Sequence, residues 1–340
     1  MLAKRDDLPY IPKTFLLMMI LPSSWSDCME VAIRIILLSG KSALDLALYT
    51  LLPVLVVMMA MMKLAEARGL LALVARWLRP VLRSFGVPGA GAFAMLQLLL
   101  VSFAAPVATF SVMEKDGSTR RAIAATLAMV LTMSQANVVF PMVAAGLDLA
   151  TIMMTSLVGG LAAAALTYYL LTRSLGNEGG EHEDHGVPAA TGKKSTALNL
   201  MIVGGQEAVQ VIIGAIPMLI LAIFLVNVLK EIGAIALLET ALRPFFALIG
   251  FPAVAVLPLA TKYLAGGTAM MGVTLNLVKE GAITVAELNR MAGFLTNPCD
   301  IVGVAVLASA GTRCSSVVRP AVIGALFGIL LRGVLHLLIF

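Results

Sequence analysis

The chain alternates long apolar runs with short polar ones, and each apolar run is about the length of a membrane crossing. Residues 44–62, 123–145, 149–171 and 212–229 are each long enough, as helices, to span ~30 Å of hydrocarbon. Nowhere does the period-two alternation of a barrel strand replace this pattern. The expectation is an all-α polytopic membrane protein. A shorter run, residues 15–21, follows Lys4, Arg5 and Lys13. It lacks the longer core and small-residue cleavage site of a signal peptide, so residues 1–28 are expected to be retained.

Shifted by 164 residues (217 − 53), the sequence aligns with itself. Pro53, Pro80 and Pro88 fall on Pro217, Pro244 and Pro252, and Gly40, Gly69 and Gly86 fall on Gly204, Gly233 and Gly250. Leu131-Thr132 falls on Leu295-Thr296 with no gap between. The organisation read from this is an N-terminal segment (1–28), membrane repeat A (29–172), a polar linker (173–195) and membrane repeat B (196–340). Each repeat is expected to hold an amphipathic stub (30–38; 196–203) and then a Pro-kinked helix a (44–62; 209–229). An interfacial helix ending at Arg-Pro follows (70–78; 234–242). Segment b comes next (88–113; 252–278), and helices c (123–145; 285–310) and d (149–171; 317–339) complete the unit.

Segment b decides the relative orientation of the copies. In repeat B it carries Lys262 and Gly266-Gly267 mid-segment, which suits a re-entrant hairpin better than a spanning helix. With b re-entrant, each repeat crosses three times, and an odd number inverts the second copy. The basic residues agree. Lys63, Arg68, Arg76, Arg79 and Arg83 follow helix a of repeat A, while its c–d loop has none. In repeat B the c–d loop gains Arg313 and Arg319. Under the positive-inside rule this reversal places 66–83, the linker and 311–319 in the cytoplasm.

Composition sharpens the class. Of 340 residues, 60% are apolar and 13% charged, far from the balance of a soluble domain. The net charge of +5 sits in loops between crossings, so nucleic acid is excluded as a partner; the lipid bilayer, a small-molecule or ion substrate and a homo-oligomer are the partners expected. Cys28, Cys299 and Cys314 form no C-x-x-C pair.

The runs Gly69-Leu70-Leu71, Leu78-Arg79-Pro80, Phe85-Gly86-Val87-Pro88-Gly89 and Ser102-Phe103-Ala104-Ala105-Pro106 resemble the nucleoside-recognition or Gate-domain family. So do Gly233, Leu242-Arg243-Pro244, Gly250-Phe251-Pro252 and Gly266-Gly267-Thr268. The resemblance covers both repeats. The family includes the core of concentrative nucleoside transporters, the membrane part of ferrous-iron transporter B and the spore maturation membrane proteins. The sequence departs from the last of these, whose Asn-Ala-Ala-Thr-Pro is here Ala104-Ala105-Pro106, and it has no nucleotide-binding domain like the iron transporter's. The resemblance implies membrane transport and leaves the substrate open.

Candidate site residues lie where the apolar helices turn polar. Helix c of repeat B reads Thr296-Asn297-Pro298-Cys299-Asp300. Pro298 frees carbonyls, which with Thr296 and Asn297 can hold a cation or polar solute or, on the alternative reading, only satisfy the kink. Asp300 is an intramembrane carboxylate. Repeat A offers Thr132, Ser134, Gln135 and Asn137 at the matching place. Lys262 either pairs with Asp300 or sits at a hairpin tip near water. Gln97, Ser102 and Thr109 in repeat A, and Thr261, Gly266, Gly267 and Thr268 in repeat B, line the site or simply pack helices. Asp45 and Glu207 are read as helix caps first and cation gates second. Cys299, and His182 with His185 in the linker, are weak metal ligands beside the structural readings of a buried thiol and a solvated linker.

The function expected is a secondary transporter of a small polar or charged solute, nucleoside-like or otherwise organic, in the bacterial inner membrane. It works by alternating access, with Na+ or H+ as coupling ion and no cofactor. A metal-ion permease or channel and a non-transporting assembly factor are the alternatives. An enzyme is not expected, because His336 is the only histidine outside the linker.

Overall fold

A computed structural model describes residues 25–175, 196–234, 237, 240, 246 and 251–340, and all regular structure among them is helical. Repeat A opens with one long rod made of α1 (Trp25–Asp45), a π-helical turn (Leu46–Leu51) and α2 (Leu52–Ala67). The wide turn immediately precedes Pro53, whose ring nitrogen has no hydrogen to offer the preceding turn. Gly69, at φ +73°, lets the chain reverse into α3 (Leu70–Arg83). One face of α3 buries Leu71, Ala75 and Leu82, while Trp77 is exposed with Arg76 and Arg79 beside it, as for a helix lying at a membrane surface.

Segment b is a hairpin of α4 (Gly89–Leu100) and α5 (Pro106–Lys115). Twelve and ten residues reach about 18 and 15 Å, roughly half of the hydrocarbon thickness. Helix c is two pieces, α6 (Arg120–Thr132) and α7 (Ala136–Val143), and helix d is α8 (Leu149–Leu166) ending in a π-helical turn (Thr167–Leu171).

Repeat B follows the same plan: rod α9 (Ala197–Glu231), a 3-10 turn (Ala253–Ala255), hairpin arms α10 (Val256–Ala265) and α11 (Gly267–Lys279), then a helix c split into α12 (Val285–Leu295) and α13 (Ile301–Ala308). The short α14 (Thr312–Ser316) leads to helix d, α15 (Val318–Ile339). The repeat is present in the backbone as well as the sequence, because Gly233 and Gly281 adopt φ +72° and +73° where Gly69 and Gly117 both adopt +73°. Among the described residues, five stretches are long and apolar enough to span: Met29–Ala67, Arg120–Val143, Leu149–Leu171, Ala197–Glu231 and Val318–Ile339. The exposed leucines, isoleucines and aromatics along them suit a lipid-facing surface.

Contacts between the copies run antiparallel at every level. In the rods, Ser39 meets Asn227 while Lys63 meets Glu207. In helix c, Ser118 near its start in repeat A receives a bond from Arg313 past the end of its partner. Asp148 past the end in repeat A meets Asn289 near the start in repeat B. In helix d, Thr155 lies against His336 and Gly324 against Thr167. Each crossing therefore lies upside down against its own copy, so the repeats are inverted. Small residues permit the approach: a Cβ on Gly159 would stand 2.8 Å from the Gly328 carbonyl oxygen, and one on Gly204 would stand 2.7 Å from that of Met59.

Three expectations change. The amphipathic stubs are the opening turns of the rods, because neither Ser39-Gly40 nor Gly204-Gly205 interrupts helical bonding. Helix c of repeat A, expected unbroken, is interrupted at 133–135, and Pro298 does more than kink helix c of repeat B, which unwinds over 296–300. Asp45 and Glu207 make no caps. Asp45 ends α1, and Glu207 lies inside α9 with its carboxylate 2.6 Å from the Lys63 ammonium. Residues 176–195, with His182 and His185, and most of the interfacial helix expected at 234–242 lie outside the described residues.

Candidate functional site

The two interruptions of helix c meet at the centre of the molecule. Unwinding frees backbone donors and acceptors where water is absent, so each must find a partner within the protein or in a ligand. The Gln135 N–H donates to the Thr296 carbonyl (3.0 Å), and the Gln135 side-chain amide reaches the Asn297 carbonyl (3.3 Å). Ser134 Oγ lies 2.8 Å from Thr296 Oγ1 and accepts a bond from Ser156 at 2.7 Å. Thr132, Ser134, Gln135, Thr296, Asn297 and Asp300 are all buried.

Lys262 comes from the hairpin of repeat B and is buried without residual exposure. Its ammonium donates to the Asn297 carbonyl at 2.5 Å and lies 3.3 Å from Asp300 Oδ2. The structure therefore selects the Lys262–Asp300 pair over a wet hairpin tip. Asp300 Oδ1 also accepts the Gly303 N–H at 2.8 Å, capping α13. Asn297 folds back locally, with Oδ1 accepting from the Cys299 N–H and Nδ2 donating to the Phe294 carbonyl.

The Gly-Gly tip of that hairpin touches both breaks. Gly266, at φ +86°, adopts the backbone that frees the turn beside Asp300. A side chain at Gly267 would collide with the Gln135 amide. The tip is thus wedged between the repeats.

Other expected residues stand apart from this cluster. Gln97 bonds Thr109 across the hairpin of repeat A (2.6 Å) and Glu66 of α2 (3.3 Å), Thr261 bonds the Leu257 carbonyl of its own helix, and Ser102 and Thr268 are half-buried at the hairpin tips. Cys299 is a buried free thiol. Among the described residues, no three His, Cys, Asp or Glu side chains gather as a metal-ligand set. Asn137 differs from the other expected site residues: 2% exposed, it has neither amide atom hydrogen-bonded.

Sequence reasoning passed over Arg332. It is fully buried in α15, where Nη1 donates to the Thr132 carbonyl and Nη2 reaches Ser134 Oγ (2.6 Å) and Thr296 Oγ1 (3.0 Å). One guanidinium fork thereby ties both breaks to helix d. The signal was available, since an arginine inside a 22-residue apolar helix is an intramembrane charge by the rule that singled out Asp300. His336, one turn on, bridges Thr155 Oγ1 (2.9 Å) and the Asn289 carbonyl (2.7 Å).

Latches join the repeats near both ends of the c helices. On one side Glu114 accepts bonds from Thr312 Oγ1 (2.8 Å) and the Arg313 N–H (3.0 Å). Burial raises the Glu114 pKa, but the bonds from Arg313, Thr312 and Cys314 together outweigh it and hold the group below the ordinary carboxylate range. On the other side the Asn289 amide clamps the Asp148 N–H and the Gly146 carbonyl.

Comparison with known proteins gives this architecture a context. Against solved structures, the chain superposes on CNTnw, a concentrative nucleoside transporter. With a variant in an outward-facing state the TM-score is 0.63 at 15% identity, covering 96% of this chain and 86% of that one. With CNTnw in an inward-facing substrate-bound state it is 0.63 at 16% identity, covering 94% and 86%. The class is thus a multi-pass membrane protein with the fold of that transporter. Within it, residues 48–150 match the family model described as nucleoside recognition, Gate, so repeat A carries a Gate region. Spore maturation protein B of Bacillus subtilis (strain 168) is 33% identical over 86 residues, 25% of this chain and 48% of that protein. The match therefore spans about half the length of that relative.

Proposed function

We propose that the chain is a secondary transporter that carries a small polar or charged organic solute, nucleoside-like or related, by alternating access at the paired breaks. The observation that carries this reading is Asn137. Its amide is a donor and an acceptor held in a dry interior without a partner, beside two interrupted helices. Leaving such groups unsatisfied costs about 1–3 kcal/mol each, which a bound solute's own polar edge would recover. The shared fold with a nucleoside transporter seen in outward-facing and inward-facing states supports the same reading. A non-enzymatic role is consistent with that fold at a coarse level. Coupling to H+ or Na+ belongs in this proposal to the region of Asp300.

The deciding experiment is uptake by the purified full chain in liposomes, against a panel of labelled nucleosides, nucleobases, amino acids and organic anions. Saturable uptake of one class, reduced by Asn137→Ala, supports the proposal, and no flux for any class removes it. Likeness to a spore maturation protein favours an assembly role without turnover as the second reading, and this same absence of flux would point to it. Residence in the bacterial cytoplasmic membrane, with the basic side inward, is tested by cysteines placed at the exposed positions Ala144 and Thr312. Only the former is expected to react with an impermeant reagent from outside.

A further inference from the structure

We propose that Lys262 and Arg332 are resident cations, standing where the interrupted helices would otherwise hold a dissolved cation, so that this chain moves its solute without Na+. The inference rests on the transport reading and narrows it. Where a membrane helix is interrupted, the last carbonyls of its first segment lose their donors and carry the negative end of the helix dipole. In transporters such ends coordinate the coupling cation.

Here both ends are already occupied. α6 stops at Thr132, and its carbonyl takes a hydrogen bond from the Arg332 guanidinium, which also holds the hydroxyls of Ser134 and Thr296. α12 stops at Leu295, and just beyond it the Asn297 carbonyl and the Asp300 carboxylate share the Lys262 ammonium. A carbonyl, a carboxylate oxygen and hydroxyls are the hard oxygen donors a small cation prefers. An ammonium on a side chain fits the same set and cannot diffuse away. Neither cation retains any exposure, so neither is spared by contact with water.

The charge balance points the same way. Two buried cations face one carboxylate, Asp300, among the described residues of the cluster. A dissolved cation entering there meets an excess of positive charge at low dielectric, where like charges repel strongly. The arrangement also disfavours metal ions as the transported species.

Binding of radiosodium to the purified full chain, at constant ionic strength set by choline chloride, tests the proposal directly. Wild type is expected to show no saturable radiosodium binding and the same thermal midpoint in sodium as in choline. Lys262→Ala uncovers the Asn297 carbonyl and Asp300, and is expected to gain saturable binding and a midpoint that rises with sodium; adding Asp300→Asn should abolish both. Saturable binding by wild type, or a folded Lys262→Ala protein that binds none, overturns the proposal. If Lys262→Ala does not fold, the wild-type measurement decides alone. In liposomes, uptake at equal rates in sodium and choline upholds it, and uptake that requires sodium overturns it while leaving transport standing. Failure of the transport reading shows instead as no uptake in either salt, with the binding result unaffected.

Discussion

The interruptions of the two c helices occupy matching places and solve the same problem with different chemistry. At the positions of Lys262 and Asp300 in repeat B, repeat A has Leu98 and Ala136 (262 − 164 and 300 − 164). Repeat A holds its break with hydroxyls, an amide and a guanidinium borrowed from the other half, whereas repeat B has its own ion pair. The lesson is that the backbone plan requires only that freed groups be met. The side chains that meet them are free to diverge, and in this chain the divergence places the charge on one side of the pseudo-symmetry.

Four perturbations sharpen or break this contrast. The largest effect is expected at the ion pair. Lys262→Leu or Asp300→Ala alone strands a buried charge and should cost about 3–5 kcal/mol. The double variant copies repeat A and should recover much of that loss. Equal, additive losses in chemical unfolding would show that the pair is not coupled. Next comes Arg332. Arg332→Met deprives Thr132, Ser134 and Thr296 together, for a loss of about 2–3 kcal/mol. Arg332→Lys should fall between, since an ammonium cannot span both breaks; a lysine variant as stable as wild type would reduce the fork to a point charge.

A smaller effect is expected at the hairpin tip. Gly267→Ala drives the Gln135 amide away and should cost about 1–3 kcal/mol, with partial rescue by Gln135→Ala. The matching residue of repeat A is Phe103, so the restriction is specific to repeat B. No rescue would mean that the backbone rather than Gln135 is displaced. The smallest effect concerns the latches. Because the native Glu114 pKa is depressed, its contribution is present above the unfolded value and lost as pH falls through the lower native one. Half-exposed at the surface, it is worth well under ~1 kcal/mol after screening. Amide-exchange protection at Arg313 and Cys314, taken relative to the intrinsic rate at each pH, should fall on acidification below the ordinary carboxylate range, while the bonds of Asn289, which does not titrate, hold at the opposite end.

Much of the fold was legible because it is written in residues with strong backbone preferences. Proline and glycine pairs at one offset marked the repeat, and Lys262 with Gly266-Gly267 marked a hairpin that turns back. Of the two readings left open for Lys262, the contact with Asp300 is the one present, because two opposite charges in an apolar sequence have few other partners. The break at Met133-Ser134-Gln135 was not legible. None of the three is a strong helix breaker, and the chain opens there because Thr296, Ser156 and Arg332, all distant in sequence, supply what the helix gives up. Residues 30–38 looked like separate elements because their polarity changes, yet polarity change alone does not end helical bonding.

The antiparallel self-pairing carries a consequence for biosynthesis. The π-helical end of helix d in repeat A and the first turn of α9 open on the same side of the bilayer. A half-length polypeptide carrying one repeat would bury its crossings only against a twin inserted the other way up. Fusing the halves removes that requirement for dual insertion, and it lets each half acquire charges that a molecule obliged to face both ways could not keep.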